Sequence, residues 1–232
     1  MRCARMSVPC ASVTVVDDAS SPVQEETAEA LRSMGAEYVQ SSWERHGNLR
    51  GPDCIRGMLS EMCREAEDDD ILVKVDCDTA LLDGGWLRWM EQRPWCQMYT
   101  SGDFVNGDWR VFGCLYALRG WIARRLYREM DWTLLDDRAP EDWTIGREVL
   151  ARVPATLCRI DEPWRKRSPW SVWTAWCWPS RTVSAESYAA RFAVVITGSP
   201  RMPDQPASER ARVMHLLAHA RERMLREGGV RE

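Results

Sequence analysis

Two aspartates stand one residue apart in this chain, directly after an apolar run that predicts a strand. The run is Ile71–Val75, and Asp76 and Asp78 follow it with Cys77 between them. Paired carboxylates in this position can hold a hard divalent cation such as Mg²⁺ or Mn²⁺, which in turn can bind a diphosphate. The alternative is a turn whose carboxylates are only solvated. In an extended segment Cys77 points away from its two neighbours, so we expect it to pack against the protein and not to bind a metal.

Two more acidic pairs lie at the predicted ends of regular elements. Asp17 and Asp18 end a β-branched run, and Ser20 follows them in a polar loop. Their oxygens can accept hydrogen bonds from a nucleotide base or ribose, and capping of the next helix is the alternative. Glu141 and Asp142 stand where a helix is predicted to begin. A carboxylate there can act as a general base on a hydroxyl group, unless both acids only stabilise the positive end of the helix.

Basic side chains lie near these acids along the sequence. Lys74 is inside the apolar strand, which is unusual for a lysine, and His46 and Arg50 belong to a polar loop that contains two glycines. All three can contact phosphate oxygens. For Lys74 the alternative is a lysine that buries only its aliphatic stem. His215 and His219 share one face of a predicted C-terminal helix; a third metal ligand is one interpretation, and a solvated helix face is the favoured one.

The order of predicted elements indicates an α/β fold. The first third of the chain alternates strand, helix, strand, helix and strand, which predicts a parallel sheet with right-handed crossovers. Ligands of such sheets bind beyond the carboxyl ends of the strands, where both Asp17 and Asp76 fall. We therefore expect a mostly parallel sheet flanked by helices, with the two acidic clusters at one crevice. The predicted strands are 12–16, 37–40, 71–75, 96–100, 109–112, 155–160 and 192–196, and the predicted helices are 22–34, 53–66, 86–91, 119–130, 139–153 and 208–226.

The composition excludes several classes of protein. The 232 residues carry a net charge of −4, so there is no basic excess to neutralise the phosphates of a nucleic acid. No apolar run approaches the ~20 residues of a membrane span. The nine cysteines include no CxxC pair, which favours reduced, partly buried thiols such as Cys54 and Cys63 over a disulfide framework. We expect a cytoplasmic protein without a nucleic-acid partner or a transmembrane segment, with peripheral association with the inner face of the membrane as a second option.

Three segments, in this order, resemble a GT-A glycosyltransferase of the large inverting family 2. Residues 15–20 (VVDDAS) are similar to the family's VDDxS element, which binds the nucleotide base and ribose. Residues 74–79 (KVDCDT) match the DxD element, which binds the metal and the diphosphate of the sugar nucleotide. Residues 140–147 (PEDWTIGR) resemble the ED motif at a helix start, where the Asp is the catalytic base. The loop 46–52 (HGNLRGP) resembles the Gly/Asn-rich segment that precedes the DxD strand.

The resemblance covers residues 12–150 and implies a role for each matched residue. Asp142 would be the catalytic base, with Glu141 as the fallback, and Asp76 and Asp78 would hold Mn²⁺ or Mg²⁺. The UDP- or GDP-linked sugar donor would be bound by Asp17, Asp18, Ser20, Arg50, Lys74 and Asp76. One departure is that the family has a further strand and helix before the VDDxS strand, where only eleven residues precede Ser12. The chain thus resembles a family 2 enzyme without its first strand–helix unit.

Tryptophan is unusually frequent, with thirteen residues, and several of them lie between residues 161 and 180. Their flat faces can stack on an acceptor sugar or an apolar aglycone, and a Trp-rich core flap or a homodimer contact is an equally good explanation. We expect Trp143, Trp173 and Trp176 to bind the glycan or small-molecule acceptor. Residues 1–160 are predicted to form the catalytic domain, and residues 161–232 a Trp-rich segment and C-terminal helix that pack on it.

The leading hypothesis is therefore a metal-dependent, inverting glycosyltransferase of the hexosyltransferase type. It would move a sugar from a nucleotide-diphosphate donor to an acceptor hydroxyl. A second hypothesis is a non-catalytic GT-A-like module that binds sugar nucleotides or glycans. A third is a nucleotidyltransferase on a similar sheet, but that activity would need a glycine-rich phosphate loop after the first strand, and residues 17–22 contain no glycine.

Overall fold

The computed structural model describes residues 4, 7–44, 49–105, 108–162, 174–176, 184–197 and 207–227, with backbone only for residues 105, 108 and 174–176. The strands are β1 (Thr14–Asp17), β2 (Glu37–Gln40), β3 (Ile71–Val75), β4 (Thr79–Leu81), β5 (Met98–Val105), β6 (Asp108–Arg119), β7 (Cys158–Asp161), β8 (Thr174–Trp176) and β9 (Val194–Ile196). The helices are α1 (Glu25–Ser33), α2 (Pro52–Cys63), α3 (Gly85–Glu91), α4 (Gly120–Glu129), α5 (Glu141–Arg152), α6 (Ala185–Arg191) and α7 (Ala207–Glu227).

The described strands form mixed ladders within an α/β fold. The four-stranded ladder has the order β3-β6-β5-β7, in which β3 and β5 are antiparallel to β6 and β7 is parallel to β5. β1 and β2 form a parallel pair, and β9 lies between antiparallel β4 and parallel β8. The expectation of a mostly parallel sheet is therefore wrong for these strands. The reason is that the neighbour of β3 comes from the long β5–β6 hairpin and not from a strand–helix–strand crossover.

Alternate residues of β6 face two different hydrophobic clusters. Tyr116 and Leu118 belong to a cluster with α2, α4 and α5, whereas Leu115 and Ala117 belong to a cluster with α3. This period of two is expected of a strand with both faces covered. Helices therefore pack on both sides of the four-stranded ladder, and the residues of β3 and β6 that can contact α5 are those on one face only.

The C-terminal elements pack against β4. β9 pairs with β4, and a third cluster joins Ala80 and Leu82 to Tyr188 of α6 and to Val213 and Leu217 of α7. The elements between residues 184 and 227 therefore contact the first part of the chain, while a domain boundary at residue 160 stays a prediction.

The loop before α2 differs from its predicted form. The helix is predicted to begin at Asp53, but α2 begins at Pro52 and Gly51 occupies its N-cap position. Gly51 has φ of 83°, and a Cβ there would lie only 2.9 Å from the carbonyl oxygen of Asp137. Glycine is thus required at the entry of α2 both by its backbone conformation and by this close approach.

The described cysteines are free thiols. Cys54 is buried and Cys63 is partly buried, as expected for the apolar face of α2. Cys77 is exposed, so the prediction that it packs against the protein is wrong. The cause is that residues 76–78 form a turn beyond the end of β3, where the alternation of a strand no longer applies. No described helix combines the length and the apolar character that crossing a membrane requires.

Candidate functional site

Lys74 is the buried centre of the candidate site, with a side chain only 8% exposed. Strand alternation puts it on the α5 face of β3, opposite Tyr116 of β6. Its Nζ donates to Asp76 Oδ1 at 2.6 Å and to the carbonyl oxygen of Gly113, and it lies 3.6 Å from Glu141 Oε2. Burial alone would lower the pKa of Lys74, but the charges of Glu141 and Asp76 outweigh it and raise that pKa. The ammonium group therefore stays protonated.

Glu141, the first residue of α5, is buried beside this ammonium group. Its Oε1 accepts a hydrogen bond from the hydroxyl of Tyr116, and its Oε2 faces Lys74. Burial raises the pKa of Glu141 to about 7, although the charge of Lys74 and the Tyr116 hydrogen bond oppose this rise. Only 3% of Glu141 is exposed, so its carboxylate faces Lys74 and Tyr116 and not solvent. Of the two predicted bases, Asp142 is the better placed.

Asp142 is partly buried and fixed by two backbone amides. Its Oδ2 accepts from Gly113 N at 3.1 Å, and its Oδ1 accepts from Trp143 N at 2.9 Å. A Cβ on Gly113 would lie 3.0 Å from Asp142 Oδ2, so a larger residue would disturb this contact. Burial raises the pKa of Asp142, against the effect of the two amides and of Lys74. A fixed carboxylate with increased proton affinity suits a general base.

Close packing holds the start of α5 beside β6 and the 49–51 loop. A Cβ on Gly146 would lie 2.5 Å from Val111 Cγ2, so glycine allows α5 to approach the strand. On the other side, Arg50 forms an antiparallel bridge with Pro140, the residue before α5. The backbone of Arg50, one of the predicted donor-binding residues, therefore lies next to the first turn that carries the two acids.

Asp78 is held by residues from the C-terminal part of the chain. Its carbonyl oxygen accepts hydrogen bonds from both N and Oγ1 of Thr197, each at 2.8 Å. Its carboxylate Oδ2 lies 3.5 Å from Nη1 of Arg210 on α7. Burial and the nearby charge of Asp76 raise the pKa of Asp78, and the Arg210 charge opposes them. Each carboxylate of the DxD triplet thus has a cationic partner, which is Lys74 for Asp76 and Arg210 for Asp78.

Asp76 and Asp78 are the two carboxylates at which a divalent cation could bind. Burial, and after it the charge of Asp76, raises the pKa of Asp78, and a cation between the two carboxylates would relieve their repulsion. Mg²⁺ commonly uses one or two protein carboxylates, and phosphate and water oxygens complete its coordination. Across the part of the chain that the structure describes, no group of three or more His, Cys, Asp or Glu could hold a metal.

The first acidic pair makes local hydrogen bonds. Asp17 Oδ2 accepts from the hydroxyl of Tyr38 at 2.5 Å and from Val23 N at 2.8 Å. Asp18 Oδ1 accepts from N and Oγ of Ser20 at 3.0 and 2.8 Å. These bonds shape the loop after β1, and they neither require nor exclude a nucleotide. A shared crevice for this pair and Asp76 stays a prediction.

The structure describes the side chain of only one of the three predicted acceptor-binding residues, Trp143. Trp143 is 43% exposed, follows Asp142 directly, and has the guanidinium of Arg110 over its ring at 4.3 Å. Trp173, like His46, lies outside the described residues, and of Trp176 only the backbone, in β8, is described. Binding of an acceptor by Trp143, Trp173 and Trp176 stays a prediction.

The two histidines of α7 contact each other. Their Nε2 atoms are 3.0 Å apart, and both residues are exposed. No contact described in the structure joins either imidazole to Asp76 or Asp78. The exposure of both residues is that of a solvated helix face, and a role as third metal ligand is not tested.

Several residues of the site were not expected from the sequence. Gly113 and Tyr116 lie on β6, beyond the predicted end of that strand at residue 112. The continuous apolar run of residues 114–118 was the signal that would have extended the strand to include them. Thr197 and Arg210 come from the C-terminal part of the chain, far from the DxD triplet in sequence. No local pattern points to these two residues.

The site therefore combines the closely spaced carboxylates of Asp76 and Asp78, a buried ammonium group and a fixed, partly buried aspartate. Such a set can neutralise a diphosphate and accept a proton from a hydroxyl group. Comparison with models of protein families finds no match to this chain, and a search of curated proteins finds no match either.

Proposed function

We propose that this protein is a metal-dependent, inverting glycosyltransferase of GT-A type that transfers a sugar from a UDP- or GDP-linked donor to an acceptor hydroxyl. The observation that carries the proposal is the Lys74 network. It joins Asp76, after β3, to Glu141 and Asp142, at the start of α5, through one ammonium group and the backbone of Gly113. The two segments that resemble the DxD and ED motifs thus meet at one site, as the proposed chemistry requires.

Asp76 and Asp78 would hold Mn²⁺ or Mg²⁺ together with the donor diphosphate. When bound, such an ion neutralises the charge that develops on the departing nucleoside diphosphate. Lys74, kept protonated by its acidic neighbours, adds a further positive charge next to Asp76. Glu141 and Tyr116 hold this ammonium group from the buried side. Exclusion of water from this side strengthens the electrostatic effect of Lys74 on bound phosphate.

Asp142 would accept the proton of the acceptor hydroxyl. The hydroxyl oxygen then forms a bond to the anomeric carbon while the bond from that carbon to the diphosphate oxygen breaks. The nucleoside diphosphate leaves with the electron pair, and a single in-line displacement inverts the anomeric configuration. The Gly113 and Trp143 amides fix the Asp142 carboxylate for this step, and the exposed Trp143 ring offers a stacking surface beside it.

The first test measures donor binding by calorimetry. A panel of UDP-sugars and GDP-sugars is titrated with and without Mn²⁺ into the wild type and Asp78→Asn. We expect Mn²⁺-dependent binding of at least one sugar nucleotide, and its loss in the variant. The matched control is Asp69→Asn, because Asp69 is exposed at the opposite end of β3. Absence of binding to every nucleotide by well-folded wild type would refute the proposal.

A non-catalytic module that binds sugar nucleotides or glycans is the second candidate. The observation in its favour is that both DxD carboxylates already have cationic partners within the protein. Turnover separates the two functions: a transferase releases nucleoside diphosphate from the bound donor when an acceptor hydroxyl is supplied, whereas a binding module retains the donor intact.

A further inference from the structure

We propose that Arg210 of α7 is a phosphate-binding residue of this site, which neutralises Asp78 in the free protein and contacts the donor diphosphate once a divalent cation occupies the DxD carboxylates. The inference rests on the proposed function and extends it to a part of the chain that lies outside the resemblance. It also gives α7 a role in the site, since the residue that completes the binding of the diphosphate comes from this helix.

The position of Arg210 is fixed by the packing of α7. Val213 and Leu217 lie on the same side of the helix, one and two turns further on, and are buried in the cluster that includes Ala80 of β4. β4 begins directly after Asp78, so the residues that anchor α7 contact the strand that follows the triplet. As a result, the Arg210 guanidinium reaches Asp78 Oδ2 at 3.5 Å.

The hydrogen bonding of Arg210 is incomplete. Its Nε is buried and has no hydrogen-bond partner in the described structure, and the 3.5 Å contact from Nη1 to Asp78 is long for a hydrogen bond. A buried donor without a partner is unfavourable by about 1–3 kcal/mol in proteins generally. A guanidinium group matches the geometry of phosphate oxygens and can donate two parallel hydrogen bonds to them. Diphosphate oxygens would therefore accept the hydrogen bonds of the Arg210 guanidinium, for which Asp78 offers only one long contact.

Charge balance gives the order of events. In the free protein, Lys74 and Arg210 neutralise Asp76 and Asp78, respectively. A divalent cation on the two carboxylates takes over that neutralisation, so the two cationic side chains are left to face the phosphate groups that the cation brings with it. Lys74 is restrained by Glu141 and Gly113, whereas Arg210 is 34% exposed and can move toward the ligand.

This exchange predicts that loss of Arg210 changes the affinity for metal and the affinity for diphosphate in opposite directions. In Arg210→Gln, Mn²⁺ alone should bind more tightly than in the wild type, because the competing cation at Asp78 is removed. UDP or GDP in saturating Mn²⁺ should bind about 10- to 100-fold more weakly, because a charge-assisted hydrogen bond to the phosphate is lost. Arg210→Lys should give an intermediate loss for the diphosphate, since it keeps the charge but not the planar pair of donors.

The measurements are the paramagnetic resonance signal of free Mn²⁺ for metal affinity and calorimetry with UDP and GDP for diphosphate affinity. The matched control is Arg212→Gln on the same helix, where Arg212 pairs with Glu209 of α7; both affinities should stay at wild-type values. If Arg210→Gln weakens metal and diphosphate binding alike, or changes neither, Arg210 is a structural residue and the inference is overturned.

Failure of the proposed function gives a different result. If the wild type binds neither UDP nor GDP, the transferase proposal fails and the phosphate role of Arg210 fails with it. Tighter Mn²⁺ binding by Arg210→Gln would then still identify a cation site at Asp76 and Asp78, and thus distinguish a lost diphosphate site from a protein without any cation site.

Discussion

Lys74 Nζ lies 2.6 Å from Asp76 Oδ1 and 3.6 Å from Glu141 Oε2, so one buried ammonium group joins the turn after β3 to the first residue of α5. Two carboxylates and a cation removed from water in this way interact more strongly than they would at the surface. The arrangement makes the geometry of the candidate site dependent on a few buried charges. Single and double substitutions can therefore separate the contribution of each charge to stability.

Lys74→Met should be strongly destabilising on its own. It leaves Glu141 buried without its cation, so that the carboxyl group must stay charged without a partner or take up a proton. Loss of one partner of a buried ion pair costs about 3–5 kcal/mol in the free energy of unfolding. Adding Glu141→Gln removes the unpaired charge and should recover part of that loss. Urea unfolding at pH 8 measures the stability of both variants and of Glu141→Gln alone. This pH lies above the pKa of Glu141 in the wild type, which is about 7. If the double variant loses as much unfolding free energy as the two single variants together, the two side chains do not interact.

Glu141 should also make stability depend on pH. Burial raises its pKa from 4.5 in the unfolded chain to about 7 in the folded protein, so the folded state binds the proton more tightly. The stability that comes from the protonated form is complete below pH 4.5 and is lost as pH rises through about 7. Relative to the wild type, Glu141→Gln should therefore gain about 2–3 kcal/mol in the free energy of unfolding between pH 5 and pH 8.

Urea unfolding of the two proteins at intervals of one pH unit measures this difference. Gln keeps an acceptor for the Tyr116 hydroxyl, so the comparison isolates the charge. Glu91→Gln, at an exposed position at the end of α3, is the control. A difference that is flat or falls with pH would show that the pKa of Glu141 is not raised by burial in the folded protein.

Cys77 offers a test of ligand binding that needs no acceptor. Cys77 is an exposed residue between Asp76 and Asp78, so maleimide should label its thiol in the free protein. Mn²⁺ with UDP or GDP, occupying the two carboxylates, should slow that labelling severalfold, and neither component alone should be as effective. Peptide mass spectrometry follows the reaction, with the exposed Cys10 as the internal control. Equal protection of both thiols would indicate a general change in structure and no local ligand.

The segments proposed to be catalytic could be predicted where their acidic residues lie at the end of a strand or the start of a helix. The strand Ile71–Val75 and its neighbouring aspartates follow from an apolar run and its polar end, and the start of α5 follows from Pro140 and two acids. Even the unusual position of Lys74 was visible, because a lysine in an apolar strand needs a buried partner or a route to solvent. The identity of the partner, Glu141, depends on tertiary packing.

The rest of the site could not be predicted because it depends on long-range pairing. β3 pairs with β6 in the register that sets Lys74 opposite Tyr116, and no short-range pattern specifies which strands pair. Arg210 reaches Asp78 only because α7 packs on β4. The prediction for Cys77 failed for a related reason, since the strand pattern was extended past the point where the strand ends.

Asp142→Asn should abolish transfer without abolishing donor binding. A general base contributes about 10²–10⁴-fold, so kcat should fall by that factor, whereas the affinity for the sugar nucleotide with Mn²⁺ should stay close to that of the wild type. Calorimetry for the donor and release of nucleoside diphosphate for turnover measure the two effects. Asp137→Asn, at an exposed position in the loop before α5, is the matched control.

Gly113→Ala tests the same base through its surroundings. The added Cβ would lie 3.0 Å from Asp142 Oδ2, so the carboxylate must shift from the amide that holds it, and kcat should fall although no catalytic group is removed. Because burial raises the pKa of Asp142, wild-type kcat should decline as pH falls through a value above that of an ordinary aspartate, and Gly113→Ala should move this pH. A lower kcat with an unchanged pH profile would mean that Gly113 affects the fold and not the base.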